Sequence, residues 1–206
     1  MNARSLLIAT SNAGKLQELK RLLADSPFEL LSLADFPNIQ EVEETGTTFI
    51  ENASMKASGY ARQARVLTLA DDSGLEVDAL GGAPGIHSAR YLDADATYPN
   101  RIRSLLAEIE KTRDPNRGGR FVCAVAVASK TGNIDFVNEQ ACEGWIAAAP
   151  RGTGGFGYDP IFIPDGYSRT FAELSVETKN QISHRARALL AAREFLVSLT
   201  GLHGDS

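Results

Sequence analysis

The chain has 206 residues, a formal net charge of −5 and an ordinary apolar content of 43%. That suits a single domain over residues 1–206, with room for a lobe and a core of useful size. The acidic balance disfavours a nucleic-acid polymer as partner, since polymer binders carry a basic face, but it leaves room for a small anion held by a few local cations.

In chain order, Leu6 to Ala9 reads as a buried strand. A helix follows with Leu16, Leu19, Leu22 and Leu23 at helical spacing, capped by Ser11 or Asn12. Phe28 to Leu33 reads as a second strand. The run ETGTTFIENASMKASGYARQA opens a second helix, with Thr48 and Glu51 at capping-box spacing. Its apolar stripe is Ile50, Ala53, Ala57, Tyr60, Ala61 and Ala64. Leu67 to Ala70 is a strand ending in Asp71 and Asp72, and Leu75 to Leu80 is another before the Gly81–Gly85 loop. Ile102, Leu105, Leu106 and Ile109 mark a third helix, stopped near Pro115. RFVCAVAVAS and IDFVNEQACEGWIA are β-prone runs joined by a KTGN turn, so they form an antiparallel hairpin. RGTGGFGYDP is a loop, IFIP a short strand, and Ile182 to Leu199 a closing amphipathic helix with Ser183 near its start. Helices alternate with strands before a hairpin, which predicts an α/β fold around a mixed sheet.

No apolar run approaches a membrane span. The short apolar run in MNARSLLIATSNAGK lacks the core and cleavage site of a signal peptide, so a cytoplasmic protein is expected. Cys123 and Cys142 sit in apolar surroundings without metal-type spacing and read as buried free thiols. The three histidines lack the spacing of a zinc site.

Several stretches have chemistry in them. IATSNAGKLQELKRLL leads a strand through a polar turn into a helix whose first turn holds Gly14 and Lys15. Backbone N–H groups and a lysine at a helix start cradle phosphate in the P-loop. That motif is not matched here: Ala9 stands at its first glycine and Leu16 follows the lysine. A cation in the first turn opposes the helix dipole by about 0.3–1 kcal/mol, an effect an incoming anion reverses. A solvated surface lysine is the alternative. Glu41, Glu43 and Glu44 precede the second helix, either as a solvated acidic turn or as carboxylates that converge with others on Mg²⁺, which prefers oxygen ligands. Asp71 and Asp72 are either a turn-forming pair or chemical groups. Neighbours on a strand face opposite ways, so the two carboxylates cannot share one job. GTGGFGYDP surrounds Phe156 with glycines, as for a backbone that approaches a ligand while a ring stacks on it, or for an anchored connection. Lys179, His184 and Arg185 lie around the start of the last helix.

Five stretches, ATSNAGK, EETGTTFIENASMKA, ADDSGLEVDALGGAPGIHSARY, GTGGFGYDPIF and SHRARAL, stand in one order, and with them the chain resembles the inosine triphosphate pyrophosphatase family over nearly its whole length. The resemblance implies a mixed twisted sheet with flanking helices, two lobes around a nucleotide cleft, and a homodimer. It implies hydrolysis of ITP, dITP or XTP to the monophosphate and pyrophosphate with Mg²⁺. It assigns Thr10, Ser11, Asn12, Ala13, Gly14 and Lys15 to a triphosphate cradle, Asp72 to proton acceptance and metal binding, Glu43 to the second metal position with Glu44 assisting, and Ser73 to a substrate contact. Phe156, Gly157, Tyr158 and Asp159, with Lys179, His184 and Arg185, resemble the nucleotide-binding set. Asp71 is expected to face away from the substrate and to be structural, or at most an acid outside the metal's direct ligands. A donor-lined pocket would then take the 6-oxo group of inosine and refuse adenine's 6-amino group. The related Maf-like pyrophosphatases fit less well, because they do not account for FGYDPIF and SHR. A nucleotide sensor without turnover is the rival from another class. It gains nothing from carboxylates beside an anion cradle.

Overall fold

The computed structural model describes residues 4–93 and 95–201; His203 lies outside them. Among the described residues six strands form one mixed sheet, in the order β2-β1-β3-β4-β5-β6. The strands are β1 (Arg4–Ile8), β2 (Phe28–Ser32), β3 (Leu67–Val77), β4 (Gly118–Ala128), β5 (Ile134–Ile146) and β6 (Phe162–Pro164). The helices are α1 (Ala13–Leu22), α2 (Phe49–Ala64), α3 (Tyr98–Thr112), α4 (Val176–Ile182) and α5 (His184–Ser198). β1 runs parallel to both β2 and β3, with Leu6 opposite Leu30 and Leu67. Leu6, Leu7 and Ile8 are all fully buried, as expected of a strand with both faces covered. β5 and β6 are antiparallel. β4 and β5 are sheet neighbours joined only by residues 129–133, closed by Ser129 N–H donating to Asn133 O at 2.9 Å. So short a link permits only the antiparallel hairpin expected from the sequence.

Local chemistry places the helix starts. Asn12 caps α1, its Oδ1 accepting from Lys15 N–H at 3.0 Å, and Thr48 caps α2 by accepting from Glu51 N–H. Glu51 reaches back one residue further than a capping box requires, to the backbone and hydroxyl of Thr47.

Three expectations are corrected. Asp71 and Asp72 do not end a strand: β3 runs through them to Val77, and residues 78–80 are a short 3₁₀ turn. The expected closing helix is α5, beginning at His184 rather than Ile182, and a short helix that was not expected, α4, precedes it. Ser183 is extended (φ −69°, ψ 154°) and separates α4 from α5. Ile50 is exposed, and Phe49 takes its place on the buried stripe of α2. Cys123 and Cys142 are buried free thiols, as expected.

The chain divides into two compact units. One comprises Met1–Asp72, Cys123–Gln140 and Arg185–Ser206. Its core packs Leu19 of α1, Leu23 just past its end, Leu6 and Ile8 of β1, Leu69, Val125 and Val127 against Ala188, Leu189, Ala192 and Leu196 of α5. The other comprises Ser73–Val122 and Ala141–His184. Its core gathers Leu75, Val77, Ile102, Leu105 and Ile109 with an aromatic group in which Phe121 meets Phe162 at 4.7 Å and Phe171 at 6.0 Å. No helix among the described residues is long and apolar enough to cross a membrane.

Candidate active site

In the first unit, the alternation of β3 gives its two adjacent carboxylates separate surroundings. Asp71 is fully buried among cations. Lys15 Nζ lies 3.2 Å from its Oδ2, and Arg185 Nε lies 3.3 Å from the same oxygen. The Arg185 guanidinium also pairs with Glu18 through Nη1. Burial alone would raise the pKa of Asp71, but Lys15, then Arg185 and Lys56, more than offset it and hold the carboxyl well below the usual range. The thiol of Cys123 lies 4.0 Å from Oδ2, and burial, then the Asp71 charge, pushes its pKa up to about 12.

Asp72 has a different set of partners. Asn52 of α2 donates to its Oδ2 at 3.2 Å, and Lys56, one turn along the same helix, stands 3.6 Å from its Oδ1. The same ammonium pairs with Glu44 at 3.1 Å. Asn52 also accepts from Gly46 N–H at 2.8 Å, which ties the acidic loop to β3. A Cβ at Gly46 would stand 2.7 Å from that Asn52 oxygen, so the approach needs glycine. Burial raises the pKa of Asp72; Lys56 and Lys15 oppose the shift, while Glu44 and Asp71 add to it. Desolvation lowers the pKa of Lys56, but Asp72, Asp71 and Glu44 outweigh it and the ammonium is held protonated. The result is one carboxylate fixed as an anion and a neighbour nearer to proton exchange.

Before α1, Asn12 N–H donates to Thr10 Oγ1 at 3.2 Å, which shapes the turn. Ser11 and Ala13 are exposed; Thr10, Asn12, Gly14 and Lys15 are half-buried. The first N–H groups of any helix lack intrahelical acceptors and suit an anion.

Glu43 is exposed, and it is Glu44 that reaches the ammonium beside Asp72. Among the described residues no three acid, histidine or cysteine side chains gather as a metal cluster. The oxygens of Asp72 and Glu44 converge on one cationic position, which Lys56 fills. Mg²⁺ bound with substrate phosphates and water requires only one or two carboxylates, so this donor set fits it.

In the second unit, Ser73 is half-buried on β3. The loop ahead of β6 is folded around Asp159, whose Oδ2 accepts from Phe156 N–H at 2.8 Å and pairs with Lys179 of α4. The Lys179 ammonium sits 5.0 Å over the Phe156 ring and 5.5 Å over Phe171. Gly155 has φ +68°, and a Cβ there would fall 2.0 Å from Asp159 Oδ2. Tyr158 donates to Ser88 O at 3.0 Å and meets Tyr98 edge-on. His184 stacks on Phe121 with centroids 4.7 Å apart.

Two of the expected nucleotide-binding groups thus have protein partners. Asp159 and the Phe156 N–H are engaged with each other, so the carboxylate shapes the loop. The Arg185 guanidinium is buried between Asp71 and Glu18 instead of lying open. Sequence reasoning missed Asn52, Lys56 and Glu18. For Asn52 and Lys56 a signal was present: two polar groups, four apart, beside the small apolar stripe of α2.

Residues 6–195 match the model of the Ham1 family. The chain is 48% identical over 201 residues to a dITP/XTP pyrophosphatase of Geobacillus kaustophilus, covering 98% of each. It superposes on a HAM1 protein from Coxiella burnetii with a TM-score of 0.87 at 39% identity, covering 95% of this chain and 99% of that one. For a dITP/XTP pyrophosphatase from Mycobacterium abscessus the TM-score is 0.72 at 44% identity, with 91% and 98% covered.

Proposed function

The chain belongs to the Ham1 family, and from that premise we propose that it hydrolyses non-standard purine nucleoside triphosphates (ITP, dITP and XTP) to the monophosphate and pyrophosphate. The observation that carries this reading is the pair of neighbours on β3. One carboxylate is locked among cations; the other is raised in pKa and flanked by Asn52 and Lys56.

The turn from Thr10 to Lys15 receives the phosphates, with the Lys15 ammonium drawn from Asp71 to the new anion. Asp72 accepts the proton of a water that attacks the α-phosphorus as the α–β anhydride bond breaks and pyrophosphate leaves. A carboxylate of ordinary pKa near 3.9 is a weak base, and the raised pKa moves Asp72 toward the task. Asn52 holds its orientation, and Lys56 carries positive charge at the reacting phosphate. Asp72 and an acid of the Glu43–Glu44 pair would hold Mg²⁺, which when bound neutralises phosphate charge and acidifies water. Ser73 contributes a further substrate contact. The family resemblance assigns Phe156 to Asp159, Lys179, His184 and Arg185 to nucleotide binding, with His184 and Arg185 as donors to the base. ITP and XTP then exceed ATP in kcat/KM, and GTP, which shares the 6-oxo group, is the best of the standard purines. The proposal extends to a homodimer in the cytoplasm.

Chromatography of an ITP digest with Mg²⁺ tests the reading. IMP and pyrophosphate are expected, with no turnover in excess EDTA. IDP and orthophosphate, or full activity in EDTA, would overturn it.

A further inference from the structure

Lys15 and Arg185 come from opposite ends of the sequence, yet both lie within 3.3 Å of one oxygen, Asp71 Oδ2. The carboxylate is fully buried, whereas Lys15 keeps 15% of its side chain accessible and Arg185 only 3%. An anion can therefore draw off Lys15, but Arg185 stays where it is. Two cations on one oxygen divide its charge. When one leaves, the contact to the other strengthens, and little solvent is present to make up the difference. Glu18 holds the far side of the Arg185 fork, so a stronger bond at Nε fixes the plane of the whole guanidinium.

We infer that Asp71 is a positioning residue that couples the two ends of the substrate: phosphate taken up by Lys15 hands Asp71 Oδ2 to Arg185 and thereby fixes Arg185 for the purine base. The inference rests on the proposed assignment of Lys15 to phosphate and Arg185 to base. A nucleoside without phosphates meets an Arg185 that shares Asp71 Oδ2 with Lys15, and a triphosphate meets one that no longer shares it with Lys15. Selection of the base is then read most sharply on molecules that carry the full phosphate chain.

The coupling is measured with fragments. Inosine affinity is determined by ligand-observed NMR with Mg²⁺, with and without saturating inorganic tripolyphosphate. In the unaltered protein tripolyphosphate raises inosine affinity by about fivefold or more, the lower end of common coupling factors. In Lys15→Gln, inosine alone already binds as tightly as it does to the tripolyphosphate-saturated parent, because Arg185 no longer shares Asp71 Oδ2 with an ammonium at position 15. In Asp71→Asn, checked as folded by circular dichroism, tripolyphosphate no longer changes inosine affinity. A merely structural role for Lys15 predicts no gain in inosine binding on its removal. Independent binding of the fragments to the unaltered protein, or unchanged or weaker inosine binding by Lys15→Gln, overturns the coupling, and neither result depends on Asp71→Asn folding. ITP turnover by the unaltered protein reports separately on the activity. Turnover without linkage overturns the coupling alone; linkage without turnover supports the coupling and overturns the activity.

Discussion

Replacing each of the two neighbouring aspartates by asparagine should produce opposite losses. Asp71→Asn removes the buried anion that two cations share. Taking one partner from a buried ion pair costs about 3–5 kcal/mol; asparagine keeps the shape and one accepting oxygen, so about 2–4 kcal/mol is expected. With a urea m-value of about 2 kcal/mol/M, the unfolding midpoint falls by about 1–2 M. Asp72 differs on each count. Its contact with Lys56 is looser, at 3.6 Å, and its surroundings already disfavour its charge, as the raised pKa states. Neutralising it relieves part of that cost, and the midpoint should move by less than about 0.5 M. Its kcat should fall at least about 100-fold, the ordinary loss for a general base. Urea titration by far-UV circular dichroism and initial rates on ITP measure both variants. A larger midpoint shift for Asp72→Asn than for Asp71→Asn would refute the reasoning. So would an Asp72→Asn protein of nearly parental kcat.

Lys56→Gln should lower kcat on ITP at least about tenfold, because charge at the reacting phosphate is lost. Parental kcat in steady-state assays would return Lys56 to a structural role. Gly155→Ala forces an L residue into the left-handed region, at about 1–2 kcal/mol, and drives its Cβ into Asp159. It should lower Tm more and raise KM for ITP more than Gly81→Ala, which has φ +62° but nothing within 4 Å, in parallel thermal-melt and kinetic measurements. The Cys123 thiol, with a pKa near 12, has a thiolate fraction that grows tenfold per pH unit up to that value. Iodoacetamide at pH 8 should leave it unmodified in the native protein and label it in denaturing urea, as peptide mass spectrometry would show; rapid native labelling contradicts the buried environment.

Much of this was legible where the signal is local. The Asn12 and Thr48 caps, the β4–β5 hairpin and the parallel core strand β1 follow from residues within a few positions of one another. The passage of β3 through Asp71 and Asp72 did not. Acids are poor strand residues, and burial becomes tolerable only with partners, one of which lies 114 positions away. The protein partners of Arg185 were hidden for the same reason, since Glu18 and Asp71 both lie far from it in sequence. The exchange of Ile50 for Phe49 is a one-residue rotation of the α2 stripe, finer than periodicity resolves. The break at Ser183 turns on a single extended residue inside an otherwise helical pattern.

The first unit draws on three separate stretches of chain, with Arg185 in the third. A growing polypeptide emerges from the ribosome in sequence order. Lys15 and Asp71 are therefore exposed to solvent long before the guanidinium that completes their cluster. A nascent chain stalled ahead of α5 has a carboxylate on β3 with half its counter-charge missing and an apolar surface where Leu189 and Leu196 belong. Arrival of the last helix then closes the hydrophobic core and neutralises Asp71 in a single event, so unfinished copies remain distinguishable from finished ones during synthesis.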